Sequence, residues 1–141
     1  MQILILQGPN INLLGLKSSK TEEHLTLNKL NKEIRLISKN HNVDLKFLQT
    51  HKSFQAINFL QRNRNKASGL LFTPSSWARN NYTILETINL INVKTSVLYF
   101  ADPYSFGTTE EESILKGPDI KSFTGKPISV SLKGMEHLLN Q

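Results

Sequence analysis

The stretch MQILILQGPNINLLG, residues 1–15, carries the reading on which the fold turns. Ile3, Leu4, Ile5 and Leu6 form an uninterrupted apolar run, and Gly8-Pro9-Asn10 stops it. A continuous apolar run of this length, closed by a turn signal, predicts a strand buried on both faces. Ligands of open parallel sheets bind just beyond the carboxyl ends of such strands. Asn10 would stand there, with an amide that both donates and accepts hydrogen bonds. Gly-Pro-Asn is equally a plain turn, and the residue types alone leave both readings open.

Outward from this stretch, helix and strand signals alternate. Residues 16–24 (LKSSKTEEH) are polar and irregular, a loop of a length that can close over a strand end. Thr26 is read as an N-cap, and Leu27, Leu30, Ile34 and Ile37 recur at helical spacing. Val43, Leu45 and Phe47 make a second strand, followed by the loop QTHKS at 49–53. Ser53 is read as the cap of a helix whose core face is Phe54, Ile57 and Leu60. GLLF at 69–72 is a third strand, broken by Thr73-Pro74-Ser75-Ser76. A third helix starts near 77–81 and carries Ile84, Leu85, Ile88 and Ile91. Residues 95–100 (TSVLYF) are a fourth strand. Residues 101–126 are the least regular, with a short helix expected at about 109–116. Residues 128–132 are read as a fifth strand and 133–139 as a final helix. This alternation implies right-handed crossovers and a parallel sheet covered on both faces, in a single domain spanning 1–141.

The composition excludes several classes. The 141 residues include no cysteine, so disulfides and thiolate metal sites are out. No apolar run approaches the roughly 18 residues of a membrane span. Met1 leads directly into a strand, without the basic start of a secretory signal, and a cytoplasmic location is expected. A net charge of +6 suits an anionic ligand or simple solubility. The basic residues are scattered and lack interleaved aromatics, so nucleic-acid binding is not expected. His24, His41, His51 and His137 have no zinc-ligand spacing.

ILILQGPNINLLG, and the order of elements over the full length, resemble the type II 3-dehydroquinate dehydratases (type II dehydroquinases). The family's Ser-Asn-His segment falls on QTHKS, its Asn-Pro-Gly turn and following helix on FTPSSWARNNYTILETI, and its closing helix on EHLL. The resemblance implies a flavodoxin-like three-layer fold, with five parallel strands in the order 2-1-3-4-5 and helices on both faces. It implies a homo-oligomer, a trimer-based dodecamer. It also implies dehydration of 3-dehydroquinate to 3-dehydroshikimate without metal or cofactor. In that family an arginine-activated tyrosine removes a proton next to the carbonyl, asparagines and a water stabilise the enolate, and a histidine assists loss of the hydroxyl. A phenol of ordinary pKa, about 10, is protonated at neutral pH, so a neighbouring cation is needed to favour the phenolate.

By this resemblance Asn10 matches the asparagine that helps hold the water, and Lys17 stands where the activating arginine belongs. The tyrosine position falls near Glu22, in a lid that contains no tyrosine. Thr73 replaces the strand-end asparagine, and Arg79 the first helix histidine. Glu86 matches the acid that reaches a neighbouring subunit. The family's Glu-x-His reads Val97-x-Tyr99, and the Ser-Asn pair that grips the substrate carboxylate reads Ala101-Asp102. Lys116 is the nearest basic substitute for the arginine that follows. The expected function is a member that has lost efficient dehydration, non-catalytic or repurposed to a small anionic ligand or a partner. The alternative is a divergent working dehydratase that uses His24, or Tyr82, Tyr99 or Tyr104, as its base. A third reading is an anionic-partner or nucleic-acid binder using Arg62, Arg64, Lys66 and Arg79.

Overall fold

The computed structural model describes residues 1–21 and 24–140. Five parallel strands form one sheet in the order β2-β1-β3-β4-β5. They are β1 (Gln2–Gln7), β2 (Asp44–Gln49), β3 (Ala67–Thr73), β4 (Thr95–Phe100) and β5 (Ile120–Gly125). The helices are α1 (Leu14–Ser18), α2 (Leu27–Ser38), α3 (Ser53–Asn63), α4 (Trp77–Asn80), α5 (Tyr82–Ile91) and α6 (Pro127–Leu139). The flavodoxin-like strand order expected from the sequence is the one observed.

β1 is an interior strand, with a strand on either side and both faces covered. Ile3 and Ile5 pack with α2 and α6, through Leu30, Ile34, Val130, Met135 and Leu138. Leu4 and Leu6 pack on the opposite face with Ala56 and Leu60 of α3 and Ile84 and Ile88 of α5. Alternation along a strand sends successive side chains to opposite faces, so an all-apolar run requires two cores. Each fully buried Ile or Leu contributes about 1.5–3 kcal/mol. The Thr26 side chain accepts from the Lys29 backbone N–H, which is the cap expected for α2.

Five expectations need correction. Residues 128–132 are not a strand: they lie within α6, and β5 is 120–125. The buried residues of α6 are Pro127, Val130, Ser131, Gly134, Met135 and Leu138, a helical stripe. Half of that stripe is small or polar, so the alternation of Ile128, Val130 and Leu132 dominated the sequence pattern. Residues 16–18, expected as the start of a loop, belong to α1, because Leu14 and Ser18 bury one turn apart and Ser18 Oγ donates to Leu25 O at 2.5 Å. The core face of α3 is Ala56, Leu60 and Asn63; Phe54 is 60% exposed beneath the Lys52 ammonium. The single helix expected after Trp77 is broken at Asn81, whose side chain caps α5 by accepting from Ile84 N. Finally, 109–116 holds only a 3-10 turn at Glu110–Glu112. β4 therefore reaches β5 by a strap without an α-helix, pinned where Ile114 N donates to Ala78 O at 2.8 Å. Among the described residues no helix is long and apolar enough to cross a membrane.

Candidate functional site

The carboxyl ends of β1, β3 and β4 meet where the strand order reverses, the usual ligand position of an open α/β sheet. Gly8 N–H donates to Thr73 O at 2.8 Å, so the loops after β1 and β3 touch. A Cβ on Gly8 would lie 2.6 Å from Pro74 O, which explains the glycine. On the other side, Gln49 Nε2 donates to Gly8 O at 3.1 Å. Asn10 adopts the left-handed conformation (φ 69°) and opens a 3-10 turn over Ile11–Leu13. Its backbone N–H donates to His51 Nδ1 at 3.2 Å. The sequence names His51 only within QTHKS and as a histidine without zinc-ligand spacing, not as a candidate site residue. The available signal was the position of QTHKS after β2, the strand beside β1.

Asn10 and Lys17 come together. With Leu13, Leu16, Phe106 and Gly107 they line an open recess of about 410 Å³. The Lys17 ammonium lies 5.3 Å from the centre of the Phe106 ring, a cation–π contact. Thr73 and Tyr99 line a different space, a cavity of about 10 Å³ shared with Ser75, Phe100, Phe106 and Thr108. That is the room of about one water molecule. Phe106 borders both spaces and separates them.

Arg79 and Gly107 hold the strap closed over this region. Arg79 Nη2 donates to Gly107 O at 3.0 Å, and Nη1 lies 3.3 Å from Glu112 Oε2. Gly107 has φ 72°, and a Cβ there would meet Ser76 N at 2.8 Å, so the strap lies directly on the loop after β3. In that loop Ser75, buried at φ 56°, takes a conformation that glycine adopts more readily. Asp102 follows β4 and accepts a hydrogen bond from Ser105 Oγ, while Ala101 N donates to Gly125 O at 2.8 Å.

Other residues singled out from the sequence lie elsewhere. Glu86 is on the exposed face of α5. Lys116 precedes Gly117, which packs on Asn89, and Asp119, which pairs with Thr95 at the start of β4; this is the amino-terminal end of the sheet. His24 is exposed, lines neither space, and its carbonyl accepts from Lys29 Nζ at 3.1 Å. Glu22, the expected tyrosine position, falls outside the described residues.

The three tyrosines differ in surroundings. Tyr82 is 65% exposed on α5. Tyr104 is buried, with its hydroxyl 3.4 Å from Thr21 Oγ1. Tyr99 is buried and donates to Ser113 Oγ at 2.5 Å; the same oxygen accepts from Leu115 N at 2.9 Å. Burial raises the Tyr99 pKa from its ordinary 10.0, Glu110 adds to this, and hydrogen bonds with Ser113 and Ser122 partly oppose it. Tyr99 is thus a neutral phenol at physiological pH, the reverse of an activated base.

A raised folded-state pKa means that the associated stability is complete below the unfolded value of about 10 and is lost as pH rises through the folded one. Urea unfolding of Tyr99→Phe should therefore show a shallower alkaline decline than the parent. At neutral pH the variant should lose about 1–2 kcal/mol, because Ser113 keeps a buried hydroxyl with one partner fewer. Identical alkaline limbs would contradict this assignment.

Among the described residues no three His, Cys, Asp or Glu groups are placed to hold a metal ion. The family model described as "Dehydroquinase class II" matches residues 1–126. The chain is 24% identical over 139 residues to the 3-dehydroquinate dehydratase of Endomicrobium trichonymphae, covering 99% of this chain and 97% of that protein. It is 22% identical over 138 residues to that of Clostridium botulinum (strain 657 / Type Ba4), covering 98% and 94%. Its fold is similar to the crystal structure of type II dehydroquinase from Butyrivibrio crossotus DSM 2876 (TM-score 0.82, 19% identity, 98% and 97% of the two chains). The Propionibacterium acnes enzyme is similarly related (TM-score 0.83, 15% identity, 99% and 97%).

Proposed function

We propose a function from one premise: the chain belongs to the class II dehydroquinase family. It has kept that family's frame and lost efficient conversion of 3-dehydroquinate to 3-dehydroshikimate. The observation that carries this reading is the small size of the space over β3 and β4, about 10 Å³, lined by Thr73 and Tyr99 at positions of the family's site. Small-molecule pockets are ordinarily about 300–1,000 Å³.

The side chains around that space support the same reading. Arg79, at the position of the family's histidine, is held by Gly107 and Glu112. Asp102 brings a carboxylate to the position where an anionic substrate's own carboxylate docks in the family, a repulsive pairing. General acid and base groups each supply on the order of 10²–10⁴-fold, so replacing both leaves little of the rate. What stays open is the recess beside Asn10 and Lys17, which suits a small anionic ligand. Tyr82 and Leu90, exposed on α5 at 65% and 73%, and Glu86 beside them support a homo-oligomer formed through that helix.

Two observations favour a divergent working enzyme instead: Asn10 and Lys17 still share a recess, and the Tyr104 hydroxyl lies 3.4 Å from Thr21 Oγ1. A single assay separates the two readings. Purified protein is given 3-dehydroquinate, and the conjugated enone product is followed by ultraviolet absorbance. Turnover far below about 1 s⁻¹, the low end of ordinary enzymes, is expected. Turnover at or above that rate overturns the inactive reading, and its absence in intact oligomers overturns the other.

A further inference from the structure

A second cleft, of about 460 Å³, lies at the amino-terminal ends of β4 and β5, at the opposite end of the sheet from Asn10. Lys94, Asp119, Lys121 and His137 line it, with Asn92 at its edge. The fold brings these groups together from separate elements. Lys94 immediately precedes β4, Lys121 is the second residue of β5 and pairs in register with Ser96, and His137 is in the last turn of α6.

Neutral groups hold both lysines. Lys94 Nζ donates to Asn140 O at 3.2 Å. Lys121 Nζ lies 5.6 Å from the centre of the Phe123 ring, and that ring is 5.9 Å from the His137 ring. The ion pair between Arg79 and Glu112 is the only one among the described residues, so neither lysine is within ion-pair distance of a described carboxylate. Among the described residues Asp119 is the one acid lining the cleft, against two ammonium groups. The charged residues of α6 beside His137 in sequence are Lys133 and Glu136, both exposed.

We propose that this cleft binds a small dianionic oxyanion, either free phosphate or the phosphate group of a phosphate monoester. The two ammonium groups and an imidazole N–H supply charge-assisted donors to such a group. The site is independent of whether the family reaction is retained. Burial, then Lys94 and then Lys121, lower the His137 pKa from its ordinary 6.5. A bound dianion cancels the two lysine contributions and raises that pKa again. The complex then holds more protons than the free protein. Affinity should therefore rise as pH falls from above the bound-state pKa to below the free-state one, and level off beyond that range.

The test follows the His137 ring by NMR while sulfate, a dianion throughout the relevant pH range, is added to the full-length protein. Sodium chloride at matched ionic strength is the control, and inorganic phosphate and glycerol phosphate are the further probes. The expected result is a saturable shift with a raised His137 pKa. Lys94→Gln and Lys121→Gln should each weaken binding about tenfold, as loss of one charge-assisted hydrogen bond does. Lys121→Arg should restore most of it, and His137→Gln should bind with a flattened pH dependence. Tighter binding of glycerol phosphate than of phosphate identifies a monoester ligand; equal binding identifies the free anion. No saturable shift, or the same shift with chloride, overturns the proposal. So does binding that both lysine variants, verified as folded by circular dichroism, leave unchanged.

Discussion

Gly8→Ala should lower stability by about 3 kcal/mol, the upper end of the usual overpacking range. The added Cβ would lie 2.6 Å from Pro74 O, 3.0 Å from Pro74 C and 3.1 Å from the Trp77 ring. A clash with the end of a flexible side chain relaxes cheaply; this one is with backbone. Gly8 N–H is tied to Thr73 O at 2.8 Å, and Pro74 O accepts from Trp77 N at 3.2 Å, so neither loop can retreat without losing a hydrogen bond. Trp77 is fixed against Phe72, with ring centres 6.4 Å apart. The displaced loop would carry Asn10 away from His51 and distort the recess it shares with Lys17. Urea unfolding should show the midpoint falling with little change in m, as for a loss of native stability. Gly15→Ala is the control. Its Cβ would meet nothing closer than Thr26 Cγ2 at 3.4 Å, and alanine suits α1, so the change should be within about 1 kcal/mol. A Gly8→Ala protein as stable as the control would mean that the two loops do not touch as described.

The same loop marks how far the sequence could be read. β1 declared itself through four consecutive aliphatic residues, because only burial on both faces tolerates such a run. Thr26 declared α2 through its capping oxygen and the stripe behind it. Asn10 and Lys17, placed by the family resemblance, line one recess because both lie on the segment that leaves the first strand end. The strap from 101 to 119 was not recoverable. Its course is fixed by single contacts of Tyr104 in one core and Leu115 in the other, and by the Arg79 grip on Gly107, none of which leaves a periodic pattern. Without that course, neither Phe106 as the wall between recess and cavity nor the position of Lys116 at the far end could be foreseen. β5 hid for a related reason: it is an edge strand of half-buried and exposed residues, with too little apolar alternation to stand out.

The misreading of 128–132 supplies the second large prediction, because the residue that makes α6 a close-packed helix is one that hydrophobic patterns ignore. A Cβ on Gly134 would lie 2.7 Å from Leu71 Cδ1, 2.8 Å from Leu98 Cδ2 and 3.3 Å from Ser96 Cβ. The helix can press this close to β3 and β4 because no side chain intervenes. Ser96 Oγ, fully buried, donates to Gly134 O at 2.8 Å and holds the two elements at that separation. For Gly134→Ala two effects oppose. Alanine gains about 1 kcal/mol of helix propensity over glycine, and overpacking loses about 1–3 kcal/mol. The leucine methyls can swing away, so the net loss should be small, about 1 kcal/mol. Gly134→Val adds two further methyl groups that Ser96 Cβ and both leucines must accommodate together, and β-branching removes most of the propensity gain. Its loss should reach about 3 kcal/mol, measured as a fall in the urea midpoint. Ser96→Ala separates the two contributions: it deletes the hydrogen bond to Gly134 O without adding volume and should lose about 1 kcal/mol. If valine at 134 proved harmless while Ser96→Ala remained costly, the hydrogen bond rather than the missing side chain would set the helix–sheet distance. If both were harmless, α6 would not lie against β4 at this point. The steep order valine, then alanine, then glycine is what a helix seated on bare backbone requires.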